Sequence, residues 1–85
     1  MKLNPVFLVH HSGNETVIVP TDSAVFSGII RGNKTLGEIA DLLQTDRTKS
    51  EIVETLLSRY DAPRETIEKD VDNIVEQLRS VGAIL

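Results

Sequence analysis

Residues 35–61 read TLGEIADLLQTDRTKSEIVETLLSRYD and hold two helix starts of the same kind. Thr35-Leu36-Gly37-Glu38 and Thr48-Lys49-Ser50-Glu51 both have the form Ser/Thr-x-x-Glu. In that pattern the hydroxyl and the carboxylate each satisfy an orphan amide at the other end of the first turn. The first predicts a helix from Thr35 to about Leu43, with Leu36, Ile39, Leu42 and Leu43 on one apolar face. Gly37 in its first turn weakens that helix slightly. The second opens a helix with Ile52, Val53, Leu56 and Leu57 inward and Tyr60 near its end.

Downstream, Asp61-Ala62-Pro63 breaks the chain, and Pro63 suits the first turn of a third helix. Ile67, Val71, Ile74, Val75, Leu78 and Val81 follow one helical face, and Gly82 stands where a C′ glycine belongs. The apolar tail Ala83-Ile84-Leu85 is expected to tuck back under the core. Upstream, the period changes. Phe7–His11 and the β-branched run Thr16-Val17-Ile18-Val19 read as strands, joined by a four-residue loop Ser12-Gly13-Asn14-Glu15 and stopped by Pro20. Thr21-Asp22-Ser23 is a second turn, and Val25–Arg31 a third strand with Gly28 inside it as a bulge, a twist or a close approach. Gly32-Asn33 closes this part.

The fold class expected is therefore α+β: a three-stranded antiparallel β meander followed by three helices, like a winged helix-turn-helix. Its 85 residues suit a single domain, with a β part at about 5–31 and a helical part at about 35–82. A chain of this size buries only about 60–65% of its unfolded surface, enough for one core and little more. With Phe7, Phe26 and Tyr60 as its whole aromatic set, that core must be aliphatic.

Composition excludes several kinds of chemistry. The absence of cysteine removes disulfides, thiolate metal sites and thiol nucleophiles, and fits a cytoplasmic location. No signal-peptide pattern and no membrane-length apolar run is present. A net charge of −4 opposes nucleic-acid binding. Residues 61–85 carry six acids against three bases, the wrong balance for a helix in a DNA groove.

Nothing in the sequence assembles a catalytic or metal site. His10 and His11 are neighbours on a strand and point to opposite faces, so they cannot converge. Glu68, Asp72 and Glu76 turn away from the apolar stripe of the third helix. Asp70 lies at the margin of that stripe, where it lines a groove or fringes the core. No phosphate-binding loop and no nucleophile elbow occurs. The expectation is a protein that is not an enzyme and needs no cofactor or metal.

What remains is the edge of the sheet. Val25-Phe26-Ser27-Gly28-Ile29-Ile30-Arg31 has no charge before Arg31 and no proline. Such an edge serves to add a peptide strand, to pair two copies of the chain, or is simply covered.

The order of these pieces resembles the PqqD family, also called RiPP recognition elements. Leu3-Asn4-Pro5 stands at that family's opening segment, the hairpin Phe7–Val19 follows, and Asn33-Lys34-Thr35 leads into the first helix. Ile39-Ala40-Asp41-Leu42-Leu43 matches its helical face. Thr48, Glu51, Ile52, Val53, Leu56, Tyr60 and Asp61 match the second helix. Asp70, Val71, Ile74, Val75, Leu78, Gly82, Ile84 and Leu85 match the third. The chain departs from the family at Leu36, in place of a glycine, and at Ala40, in place of a tryptophan.

The resemblance implies a non-catalytic module that binds the leader segment of a ribosomally made precursor peptide as an added strand. A separate enzyme, such as a radical SAM enzyme or a leader peptidase, then modifies the precursor, in peptide natural-product or PQQ biosynthesis. It implies a floor of Val25, Phe26, Ser27, Gly28, Ile29, Ile30 and Arg31 and a wall of Asp70, Asn73, Ile74 and Gln77. The partners expected are that peptide and that enzyme, with no nucleic acid and no membrane, and with the chain a monomer or weak homodimer. A winged-helix DNA-binding protein and a domain that dimerises through its β edge are the alternatives.

Overall fold

The computed structural model describes residues 1–21 and 29–85. Its elements are β1 (Phe7–Ser12), β2 (Glu15–Pro20), β3 (Ile30–Gly32), α1 (Lys34–Leu42), α2 (Lys49–Arg59) and α3 (Arg64–Ser80). The strands form one antiparallel sheet in the order β1-β2-β3. This is the α+β arrangement, sheet first and helices after, that the patterning predicts.

The β1–β2 loop is tighter than expected. Ser12 and Glu15 pair with each other, so only Gly13-Asn14 turns the chain. Gly13 sits at φ +62, the backbone that a two-residue hairpin asks of its first central position. The third strand ends one residue later than expected: β3 includes Gly32, which pairs with Thr16 and closes the β part. The expected strand residues Val25, Phe26, Ser27 and Gly28 lie outside the described residues.

Alternation decides which face the sheet buries. Phe7, Thr16, Ile18 and Ile30 point inward and are buried, whereas Leu8 and Arg31 point outward and are exposed. Helix α1 lies across the inner face. It can do so because Gly37 has no side chain: a Cβ there would stand 2.5 Å from Thr16 Oγ1 and 2.7 Å from His11 Cε1. The glycine that weakens α1 by propensity thus lets helix and sheet approach closely.

Helix α1 starts earlier than the Thr35–Glu38 box implies. Asn33 is its N-cap, and the Asn33 side-chain oxygen accepts from the amides of Thr35 (3.1 Å) and Leu36 (3.3 Å). Glu38 is engaged elsewhere. Its Oε1 accepts the Tyr60 hydroxyl at 2.7 Å, which joins α1 to the end of α2. The second box forms as read: Glu51 N donates to Thr48 Oγ1 at 3.1 Å, and Thr48 N to Glu51 Oε1 at 2.9 Å. Pro63 is the N-cap of α3 rather than a residue of its first turn. Arg64 follows, and its guanidinium is paired with Glu54 of α2 and Glu68 of α3. Gly82, at φ +78, turns the chain after α3.

One apolar cluster draws on every strand and every helix. Ile18, Leu36, Ile39, Leu43, Ile52, Leu56 and Leu78 are all fully enclosed. Each such side chain contributes about 1.5–3 kcal/mol by leaving water. Ala40 is enclosed as well, so α1 contributes only a methyl group to the core at this position.

The two ends of the chain complete the core. Leu3 pairs with Ile84 in an antiparallel bridge, and Leu3 N donates to the Leu43 carbonyl at 2.7 Å. Ala83 is buried and Ile84 partly so, while Leu85 is exposed, so only part of the apolar tail tucks under.

Candidate functional site

Among the described residues, β3 has β2 on one side and no strand on the other. Its side chains alternate as the sheet demands: Ile30 is buried, and Ile29 and Arg31 are exposed. The Arg31 guanidinium donates to Glu15 Oε1 at 3.0 Å, which holds this charge over β2 on the outer face of the sheet.

The wall comes from α3. At about 100° per residue, Asp70, Asn73, Ile74 and Gln77 share one flank of the helix, roughly a quarter-turn from the buried stripe of Ile67, Val71, Val75 and Leu78. Ile74 is half-buried against the core, and the three polar residues are exposed. A hollow of about 200 Å³ is lined by Asp70, Asn73 and Ile74 together with Asn33 and Thr35. It therefore joins α3 to the point where β3 passes into α1. An adjoining hollow of about 480 Å³ continues along the same flank, lined by Asn73, Glu76, Gln77 and Ser80.

The sequence-predicted wall residues are thus all on this flank, three in the first hollow and Gln77 in the second. Asn33, Thr35, Glu76 and Ser80 also line it and were not among the expected site residues. Glu76 and Ser80 follow Asn73 at helical steps, a signal the sequence carries. Asn33 and Thr35 enter only because α1 starts beside α3, which no local pattern announces.

The opposite flank of α3 borders a different hollow of about 340 Å³, lined by Met1, Thr48, Lys49, Asp72, Val75 and Arg79. There Lys49 Nζ meets Asp72 at 2.7 Å. Asp70 differs from Asp72 in this respect. Among the described residues, its carboxylate has neither a hydrogen-bond donor nor a cation within 4 Å.

Among the described residues, the titratable groups do not converge on a reaction centre. His11 Nε2 lies 3.3 Å from Asp41 at the surface, and His10 is on the other face of β1. The Tyr60 phenol is held above its ordinary value, first by the hydrogen bond to Glu38 and then by burial. Its partner carboxylate sits against Arg59 and Lys34, at 3.7 and 4.0 Å, as part of the α1–α2 contact. Among the described residues, no group of three or more His, Asp or Glu is placed to hold a metal ion. No helix among them is long and apolar enough to cross a membrane.

The same fold is found in the solved structure of TbiB1 in complex with the TbiA(beta) leader peptide. The two chains superpose with a TM-score of 0.76 at 19% sequence identity, over 100% of this chain and 99% of that one. At that identity the likeness speaks for the fold. No curated protein matches the chain. Residues 15–84 match the family model described as "Coenzyme PQQ synthesis protein D (PqqD)". That span runs from the start of β2 to the tail after α3, and takes in β3 and both hollowed elements beside it. This chain belongs to the PqqD family.

Proposed function

We propose that this protein is a non-catalytic peptide-binding module that takes the leader segment of a ribosomally made precursor as an added strand along β3. The observation that carries this reading is the edge of β3 beside the hollowed flank of α3, in a PqqD-family chain with the fold of TbiB1, a protein solved with a leader peptide. An extended peptide beside β3 bonds to main-chain groups on the side away from β2, which supplies affinity without regard to sequence. Its alternate side chains meet Asp70, Asn73, Ile74 and Gln77, which supplies selectivity. Val25–Gly28 extend the floor in this proposal, and Ile29, Ile30 and Arg31 are its described part.

The module acts by proximity. A precursor held through its leader is presented to a separate modifying enzyme, such as a radical SAM enzyme or a leader peptidase, at a raised effective concentration. No group on the chain takes part in the chemistry, and the setting is the cytoplasm.

The test is a titration of ¹⁵N-labelled protein with leader peptides encoded near its gene, combined with amide hydrogen exchange. Saturable shifts at Ile29–Gly32 and along Asp70–Gln77, with slowed exchange of β3 amides, are the expected result. If no such peptide perturbs β3, and the β3 signals change instead with protein concentration, the edge pairs copies of the chain and the reading is wrong.

A further inference from the structure

The first hollow has a chemistry of its own, and this inference rests on the groove proposed above. Its five lining residues come from three elements: Asn33 from the α1 cap, Thr35 from α1, and Asp70, Asn73 and Ile74 from α3. At about 200 Å³ it falls below the size of a small-molecule pocket, and it suits a single side chain. It lies level with the end of β3, because Asn33 directly follows Gly32. A strand running along β3 therefore sets one side chain into it.

The polar groups there are unevenly matched. The Asn33 side-chain oxygen is already used to cap α1. Asp70 contributes a carboxylate that only accepts, and among the described residues nothing donates to it. Every lysine, arginine and histidine of the chain lies within the described residues, and none brings its charged group within 4 Å of the Asp70 carboxylate. Two neighbouring acids on the same helix are neutralised, Asp72 by Lys49 at 2.7 Å and Glu68 by Arg64 at 3.9 Å, whereas Glu65 and Glu76, like Asp70, have no cation within 4 Å, and neither of them lines this hollow. Asp70 is thus an uncompensated negative charge set over an apolar patch from Ile74, in a chain of net charge −4.

We infer that this hollow is a subsite for a lysine or arginine side chain of the bound strand, its head on Asp70 and its aliphatic stem along Ile74. The stem covers apolar surface and the head gains a charge-assisted hydrogen bond, the division of labour to which long basic side chains are suited. Leaders taken by this protein carry a base at the position level with the end of β3.

The test selects extended peptides from a random displayed library on the wild-type protein, on Asp70→Asn and on Asp72→Asn. The binders are then sequenced, and β3 amide exchange is measured with the best of them. The expected result is enrichment of Lys or Arg at one position with wild type and with Asp72→Asn, lost with Asp70→Asn. Replacing that base by norleucine should weaken wild-type binding roughly two- to five-fold, an exposed charge pair being worth little more. Asp70→Lys should reverse the preference toward Asp or Glu at the same position.

Binders that protect β3 amides but favour no base would overturn the subsite and leave the groove standing. Binders that leave β3 unprotected would sink the groove reading and the subsite with it.

Discussion

The α-carbon of Gly37 lies under the imidazole of His11, with a Cβ position only 2.7 Å from His11 Cε1 and 2.9 Å from Nδ1. Thr16 closes the other side at 2.5 Å, and it is buried. His11 is half-exposed and able to swing out, whereas Thr16 is not. Gly37→Ala therefore sets two effects against each other. Helix propensity gains about 1 kcal/mol, and overpacking against β2 costs about 1–3 kcal/mol. Net destabilisation is the expected outcome in urea unfolding, and a Thr16→Ala background should relieve it in a double-mutant cycle. A more stable Gly37→Ala protein would mean that helix and sheet are not so closely packed.

Gly82 offers a contrast. Nothing lies within 4 Å of a Cβ built there, but its φ of +78 is left-handed. Gly82→Ala should cost about 1–2 kcal/mol through the backbone alone. Asn, which tolerates that conformation, should recover part of the loss in the same unfolding assay.

The capping box of α2 is open to a direct check. Thr48→Ala should lower stability by about 1 kcal/mol and the melting temperature by about 4–8 °C. The Glu51 carboxyl is held below its ordinary value, mainly by the Thr48 amide. Its contribution is therefore present above the ordinary carboxylate range and fades as pH falls through the lowered value. The stability gap between wild type and Glu51→Ala should close correspondingly in acid.

Tyr60 is the sole tyrosine, and the chain has no tryptophan, so phenolate absorbance reports this one group. Its hydrogen bond to Glu38 raises its pKa, and the folded protein should ionise at higher pH than a free tyrosine. A raised value means the contribution is full below the unfolded pKa and is lost as pH rises through the folded one. Stability should fall on the alkaline side, and Glu38→Gln should shift the absorbance titration back toward the ordinary value.

The helices α2 and α3 were legible because their signals are local. Thr48–Glu51 closes within one turn, and the Ile67–Leu78 stripe has the period of its own helix. The start of α1 was ambiguous because Asn33 and Thr35 are both good caps. Asn33 reaches two amides, and Tyr60, distant in sequence, draws Glu38 away from Thr35. The two-residue hairpin loop and the extension of β3 to Gly32 turn on strand register, which composition leaves open. Within the candidate site, the wall Asp70–Gln77 follows from helical geometry alone. Asn33 and Thr35 reach it only through the packing of α1 beside α3.

The bridge between Leu3 and Ile84 imposes a timetable on synthesis. Leu3 leaves the ribosome long before its partner Ile84, while Leu43 holds its other side. The β1–β2 hairpin and the α1–α2 pair have neighbouring segments to meet as they emerge, but this seam waits for Ile84. Until then Leu3 and the core side chains it covers remain open to chaperones and to other nascent chains. A messenger truncated anywhere before the end of α3 would therefore yield a sticky fragment rather than a smaller working domain.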